Sequence, residues 1–297
     1  MSLAYVDRKD FDNVPYNKVF SNDISADEYL LNYLTKKTHK YIPLINLINL
    51  KTNQFKNYFI FLGFEFWRVY MYDQKLKLNN INPDLKLSLP VSLMKLFSDK
   101  CKLMDYFQAK SLPVLKTVCL KSKSITKPKI ESIIKQIGPI FIKPSAGMHA
   151  NLCVKSNNTS VWESVNKIKD KYGGLIIQPY IPTFATKINP EIRTYWIGHE
   201  LYMCYYTTGN GDVIKYRKKA PAALYKIGKK IINQIESDFN MKFIYCRLDF
   251  GRLKPRSRIF FLNELELSPG LLSNYWSKYT KGYIEGIGNQ IIKHIAN

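Results

Sequence analysis

The spacing of apolar residues changes repeatedly along the chain, and each change marks an element. Tyr58-Phe59-Ile60-Phe61-Leu62 has no polar break, which predicts a buried strand of a parallel sheet. Lys75 to Leu89, with Asn79-Asn80 and Pro83, reads as a loop. Behind Ser98, Cys101, Met104 and Phe107 or Gln108 recur at helical spacing, which predicts a helix capped by Ser98 and ending near Ser111. Pro113 starts an extended segment, Val114 to Leu120. Thr126 caps a helix reaching about Gln136, and Gly138-Pro139 breaks it. Ile140 to Lys143 is a strand, Pro144-Ser145-Ala146-Gly147 a turn, and Asn151 to Val154 the return strand. Ser160-Val161-Trp162-Glu163 has capping-box form, opening a helix that stops at Gly173-Gly174. Leu175 to Gln178 is a further strand.

Ile192 to Ile197 and Leu201 to Tyr206 read as a hairpin turning at Gly198-His199. Lys215, Arg217, Lys218 and Lys219, with Tyr216 among them, read as a basic loop. Ala222 to Phe239 is a helix with Ile227, Ile231, Ile235 and Phe239 on one face. Two strands follow, around Arg247-Leu248-Asp249-Phe250 and Leu262 to Leu267. Hairpins and helices interleave, so the class is α+β rather than doubly wound. Residues 1–95 are aromatic-rich, carry no chemical motif, and read as a small N-terminal α/β domain; residues 96–297 form the remainder.

Composition narrows the partners. The chain has 297 residues, 46% hydrophobic, with formal net charge +22. Residues 1–95 hold 13 basic and 9 acidic side chains, so the remaining residues carry a balance of +18. A field of that sign attracts nucleotides, nucleic acid, acidic peptides or anionic lipid. Coding bias towards Lys, Asn and Ile is the plainer explanation. The five cysteines are odd in number and widely spaced, with no CxxC pair, so a disulfide framework is not expected and a reducing, intracellular compartment fits. The most apolar stretch, Tyr58 to Trp67, contains Glu65 and is about half the length that spans a bilayer, so no membrane partner is expected.

The C-terminal strands carry the strongest chemical signal. Residues two apart on a strand share a face. Glu264 and Glu266 therefore point one way, as do Arg247 and Asp249 on the neighbouring strand. Three carboxylates and a guanidinium converge if those faces coincide, which suits a divalent metal holding a polyphosphate; the alternative is a solvated hairpin. Lys143 closes an apolar strand before a turn, a placement suited to a phosphate, although strand-end lysines are ordinarily surface. Lys100 sits in a first helical turn, where the macrodipole disfavours a cation. Gln178-Pro179-Tyr180-Ile181 leaves a buried strand with backbone groups available. Glu191 and Arg193 share a strand face and read as an ion pair.

Taken in order, these pieces resemble the ATP-grasp superfamily. The matching residues are Ser98-Asp99-Lys100, Leu112-Pro113-Val114 with Thr117, Phe141-Ile142-Lys143-Pro144, Ile177-Gln178-Pro179-Tyr180-Ile181, Glu191 to Gly198, Arg247-Leu248-Asp249 and Asn263-Glu264-Leu265-Glu266-Leu267-Ser268-Pro269-Gly270, across roughly residues 96–285. The cores of ribosomal-protein glutamate ligases and D-alanine–D-alanine ligases are of this type. The resemblance implies an ATP-grasp fold, with two α+β subdomains, about 96–181 and 182–297, gripping ATP behind the N-terminal domain. It implies that Lys100 and Lys143 contact the ATP phosphates; the basic loop, by its charge, adds Arg217 as a clamp on phosphates or on an acidic substrate, unless it is simply a solvated loop. Gln178, Tyr180 and Ile181 would form the adenine hinge, and Asp249, Glu264 and Glu266 would hold Mg2+. Arg247 would stabilise charge on the transferred group, and Arg193 would lie near the γ-phosphate or acyl acceptor. The chain departs from the pattern in three places: the loop from Pro144 to Ala150 has one glycine, Pro182 to Ile188 has no ribose-binding acid, and Glu266 stands where Asn is common.

The implied activity is an ATP-dependent ligase that activates a carboxylate as an acyl phosphate for attack by an amine. The basic loop suggests an acidic peptide or another polyanionic acceptor. Two alternatives stand beside it: a nucleic-acid (RNA) ligase or end-modifying enzyme, and a non-catalytic nucleotide-binding module.

Overall fold

The structure, a computed structural model, describes residues 1–6, 25–64, 66, 77–145, 154–155, 161–172, 174–269 and 277–296. Three sheets account for all the strands described. The first joins β1 (Ser2–Val6), β2 (Leu44–Ile45), β3 (Tyr58–Phe61) and β4 (Lys86–Leu87) in the order β2-β1-β3-β4, all parallel. The unbroken apolar run of β3 is thus explained: its strand lies in the interior of a parallel sheet, with Phe59, Ile60 and Phe61 buried. Lys86 and Leu87, read as loop, add a short edge strand instead. Helix α1 (Ala26–Thr38) crosses between β1 and β2, capped by Ser25, whose side chain accepts from the Glu28 N–H.

Helix α2 (Val91–Phe97) leads into α3 (Lys100–Ala109). Asp99, not Ser98, caps α3; its carboxylate accepts from the N–H groups of Cys101 and Lys102, while Ser98 closes α2. A charged cap outcompetes a hydroxyl one residue earlier. The second sheet runs β5-β8-β6-β7, all antiparallel: β5 (Val118–Lys121), β6 (Ile140–Pro144), β7 (Val154–Lys155) and β8 (Gly174–Pro179). Of the extended segment from Val114, only the part from Val118 joins this sheet; Val114 makes an isolated bridge to Leu262. Helices α4 (Lys127–Ile137), capped by Thr126, and α5 (Val161–Tyr172) pack on it around Ile130, Ile133, Ile142, Val165 and Ile168. Ala146 to Cys153, Ser160, Gly173 and Gly270 lie outside the described residues.

The third sheet has the order β11-β10-β9-β12-β13 and is wholly antiparallel: β9 (Glu191–Ile197), β10 (Glu200–Thr207), β11 (Val213–Arg217), β12 (Tyr245–Arg252) and β13 (Phe260–Glu266). The expected basic loop is in part a strand, since Lys215 and Arg217 belong to β11. Gly198 turns the β9–β10 hairpin at φ 53°, in the left-handed region that favours glycine. Helix α6 (Ala222–Phe239) covers one sheet face through Leu224, Ile231, Ile232 and Ile235, which meet Trp196, Cys204, Cys246 and Leu248. Buried Glu236, near its end, accepts from the Phe243 N–H at 2.8 Å and Lys242 at 3.0 Å and pairs with His199 at 2.7 Å, tying the hairpin turn to the helix.

Helix α7 (Ser277–Ala296) returns to the N-terminal sheet. Tyr29 donates to Glu285 and Tyr33 to Asn289, at 2.7 and 2.8 Å, and Tyr283, Ile284, Ile287 and Ile291 fill a core shared by β1, β3 and the second face of the third sheet. Both ends of the chain therefore stabilise one unit.

The contact of α6 with its sheet leaves no room at Gly228, where a Cβ would stand 2.3 Å from Cζ2 of buried Trp196. Gly228→Val should lower stability by about 1–3 kcal/mol through overpacking, read as a lower urea midpoint with unchanged slope.

Candidate active site

The register of the third sheet builds the site. Asp249 lies opposite Glu264 on β13 and Arg193 on β9; Arg247 lies opposite Glu266 and Tyr195. Directly paired residues share a face, so the expected coincidence of faces holds. The Arg247 guanidinium donates from Nε and Nη2 to the two oxygens of Asp249, at 2.8 Å each, and from Nη2 to Glu266 at 3.2 Å. Arg193 donates from Nε to Glu191 at 2.9 Å and stands 3.8 Å from Asp249. Asp249 is fully buried, and Arg247 is 8% exposed.

Two cations come from the second sheet and the helix beside it. Lys143, on β6, donates to Oδ1 of Asn263 at 3.1 Å, and Nδ2 of Asn263 donates to Glu191 at 2.8 Å. Lys100 opens α3, and its N–H donates to the Ser145 carbonyl at 3.0 Å, which anchors the helix start beside the end of β6. Burial alone would push the Glu264 carboxyl up; the fields of Lys100, Arg247, Lys143 and Arg193 together hold it below its ordinary range. Glu266 behaves oppositely. Burial raises it to about 7 against the pull of Arg247, with Glu264 and Asp249 adding to the rise. Burial and Asp249 likewise raise Glu191, against Arg193.

The remaining candidates fall elsewhere. Gln178 is buried, and its Nε2 donates to Thr117 at 3.0 Å, bracing the end of β8. The Tyr180 N–H donates to the Pro139 carbonyl at 2.8 Å, and the Ile181 carbonyl accepts from Phe184. Arg217 is exposed and pairs with Cys204, on the sheet face turned to α6 and away from the carboxylates. Next to the carboxylates, Phe184 and Phe261 pack over Gly251, where a Cβ would meet Phe261 at 2.3 Å and Phe184 at 2.7 Å. Neither ring carried a motif. Asn263 stands inside the quoted motif, but its role depends on a register shift that spacing does not reveal.

The whole architecture matches solved structures. A D-cycloserine synthetase superposes with a TM-score of 0.73 over 99% of this chain and 100% of that one, at 14% identity. A RimK domain ATP-grasp protein from Sphaerobacter thermophilus gives 0.63 over 99% and 98%, at 12% identity. The D-alanine–D-alanine ligase of Bacillus anthracis complexed with ATP gives 0.60 over 91% and 93%, at 13% identity. The fold is ATP-grasp. No family model and no curated protein matches the sequence. At such identities the likeness is one of fold.

The polar cluster lies between the second and third sheets. Its donors are carboxylate oxygens, the chemistry a hard cation such as Mg2+ requires. Among the described residues, no three acidic, His or Cys side chains stand close enough to enclose an ion by themselves. Mg2+ needs only one or two carboxylates when phosphates and water complete its shell, so the residues fit the ion as a partner of a polyphosphate. Cys101, Cys119, Cys204 and Cys246 are free thiols, and no helix among the described residues is long and apolar enough to cross a membrane.

Glu266 generates a pH prediction. Its carboxyl is raised in the fold, so between its ordinary value near 4.5 and about 7 the folded protein binds a proton that the unfolded chain has released. Stability from this group therefore falls as pH rises through that window. Glu266→Gln should raise the melting temperature of the nucleotide-free protein at pH 7.5 by about 2 °C or more and change it little at pH 5, as checked by thermal scans at both values.

Proposed function

We propose that this protein is an ATP-dependent ligase that joins a carboxylate to an amine through an acyl phosphate. One observation carries the reading: Lys143 of the second sheet and Lys100 of the adjoining α3 meet Arg193, Arg247, Asp249, Glu264 and Glu266 of the third sheet in one partly buried polar cluster. The domain reading belongs to the same proposal, with residues 1–95 leading an ATP-binding region from 96 onward.

The parts divide as follows. Lys100 and Lys143 neutralise the phosphates of ATP. The Ile181 N–H and the Tyr180 carbonyl meet the adenine edge, while Gln178 holds the strand end that presents them. Phe184 and Phe261 supply an apolar wall beside that hinge. Asp249, Glu264 and Glu266 would hold Mg2+, which supplies charge neutralisation between the phosphates. A substrate carboxylate oxygen attacks the γ-phosphorus, the bond to the bridging oxygen breaks, and ADP leaves. The amine then adds to the acyl carbon, loses a proton, and inorganic phosphate departs. Arg247 balances the charge that develops on the transferred phosphoryl group and on the tetrahedral centre, and Arg193 lies on the acceptor side. No side-chain nucleophile is needed; positioning and preorganised charge carry the chemistry.

The exposed cations Lys215, Arg217, Lys218 and Lys219 support an anionic acceptor, such as an acidic peptide. Arg217 faces away from the carboxylates, which favours a role in holding the acceptor over a phosphate contact.

The protein is to be incubated with Mg-ATP and panels of acids and amines, and the nucleotide products separated by chromatography. ADP with inorganic phosphate is the expected pair; AMP with pyrophosphate overturns the mechanism and favours nucleotidyl transfer, as in nucleic-acid end joining. Asp249→Asn and Glu264→Gln should each lower turnover by about 100-fold or more, and parent-like turnover in both overturns the metal assignment.

A further inference from the structure

We propose that Asn263 is the positioning residue for Lys143, delivered into the cleft by a β-bulge and oriented by Glu191. The inference rests on the nucleotide-binding reading above.

Simple alternation would send Asn263 to the face opposite Glu264, into the core beneath α6 with Leu265. The pairing of β12 with β13 prevents this. Asp249 lies opposite Glu264, yet the next residue, Phe250, lies opposite Leu262. Asn263 is the extra residue of a bulge, the local irregularity that re-aims a side chain. It emerges half-buried on the carboxylate face and reaches across to the other sheet.

The two ends of its amide differ, and so do its neighbours. A carboxylate only accepts and an ammonium only donates. Glu191 therefore takes the Nδ2 end at 2.8 Å, and Oδ1 is left to accept from Lys143 at 3.1 Å. Glu191 cannot rotate away, because its second oxygen accepts from Nε of Arg193 at 2.9 Å and the residue is 7% exposed. The chain Arg193–Glu191–Asn263–Lys143 thus transmits one orientation from the third sheet to a lysine of the second. A lysine stem has four carbons and considerable rotamer freedom; an acceptor fixed on the opposite sheet holds the ammonium where phosphates would arrive, lowering the ordering cost of binding.

Two measurements on the full chain test this. In the first, surface and cleft amines of the nucleotide-free protein are acetylated with an N-hydroxysuccinimide ester, and the rate at Lys143 is followed by peptide mass spectrometry. Asn263→Ala should raise that rate several-fold while exposed Lys129 reacts unchanged. In the second, calorimetry gives the Kd for Mg-ATP. Asn263→Ala should weaken it about tenfold, the loss expected for a hydrogen bond to a charged group. Asn263→Asp should weaken it also, because its second oxygen meets Glu191. Adding Glu191→Gln to Asn263→Asp restores a donor opposite an acceptor and should recover affinity to within a few-fold of the parent, a rescue that general structural damage would not produce. Circular dichroism establishes that each variant is folded. An unchanged Lys143 rate in Asn263→Ala, an unchanged or tighter Kd, or a double variant no better than Asn263→Asp overturns the role. A parent that fails to bind Mg-ATP overturns the ligase reading instead, and the acetylation rates still decide whether Asn263 holds Lys143.

Discussion

The antiparallel register of β9, β12 and β13 is the constraint on which the site depends. It sets Arg247 between Tyr195 and Glu266, and Asp249 between Arg193 and Glu264. The opposite face of the same strands carries Thr194, Trp196, Cys246, Leu248 and Leu265, all buried and mostly packed against α6. A slip of one residue would exchange the faces and drive charged groups into that apolar contact. The core therefore enforces the geometry of the polar cluster.

Electrostatics then divides the cluster. Four carboxylates, Glu191, Asp249, Glu264 and Glu266, share it with Lys100, Lys143, Arg193 and Arg247. Arg247 spreads its fork over Asp249 and Glu266, so the buried Asp249 is matched by a bidentate partner. Glu264, within the fields of both lysines and both arginines, is held below its ordinary range, while Glu266, two residues on, is pushed up to about 7. Neighbouring acids on one strand thus differ in proton affinity because Glu264 lies in the fields of Lys100 and Lys143, whereas Glu266 has Arg247 and Arg193 against two neighbouring carboxylates.

The chain's ends belong to the same unit. The N-terminal sheet rests on the third sheet through Tyr5, Phe61, Phe64, Tyr195 and Tyr245, and α7 covers the seam. The Tyr245 hydroxyl donates to the Gly63 carbonyl at 3.1 Å, joining β12 directly to the loop after β3. The short parallel strands of residues 1–95 owe much of their stability to this contact, since β2 and β4 each have only two residues.

Periodicity alone was enough for most elements. Ala222–Phe239, the Thr126 cap and the Gly198 turn are local decisions, set by spacing, a cap side chain and a backbone angle. The two-residue period was likewise enough to put Arg247 with Asp249 and Glu264 with Glu266. Other features needed the fold. Helix α7 is not among the elements expected from the sequence, although Tyr283, Ile284, Ile287 and Ile291 have helical spacing. Its partners on α1 lie more than two hundred residues away and others lie on β9 and β10 of the third sheet, so no local signal says what that face meets. Lys215 and Arg217 look like loop because an exposed edge strand need not be apolar, and only pairing with β10 makes β11 a strand. Asn263 is the sharpest case. Its identity and its place before Glu264 are plain in the sequence, but the face it occupies depends on one unpaired residue between two strands. A period of two determines a side chain's face only while the pairing is unbroken, and tertiary structure decides where it breaks.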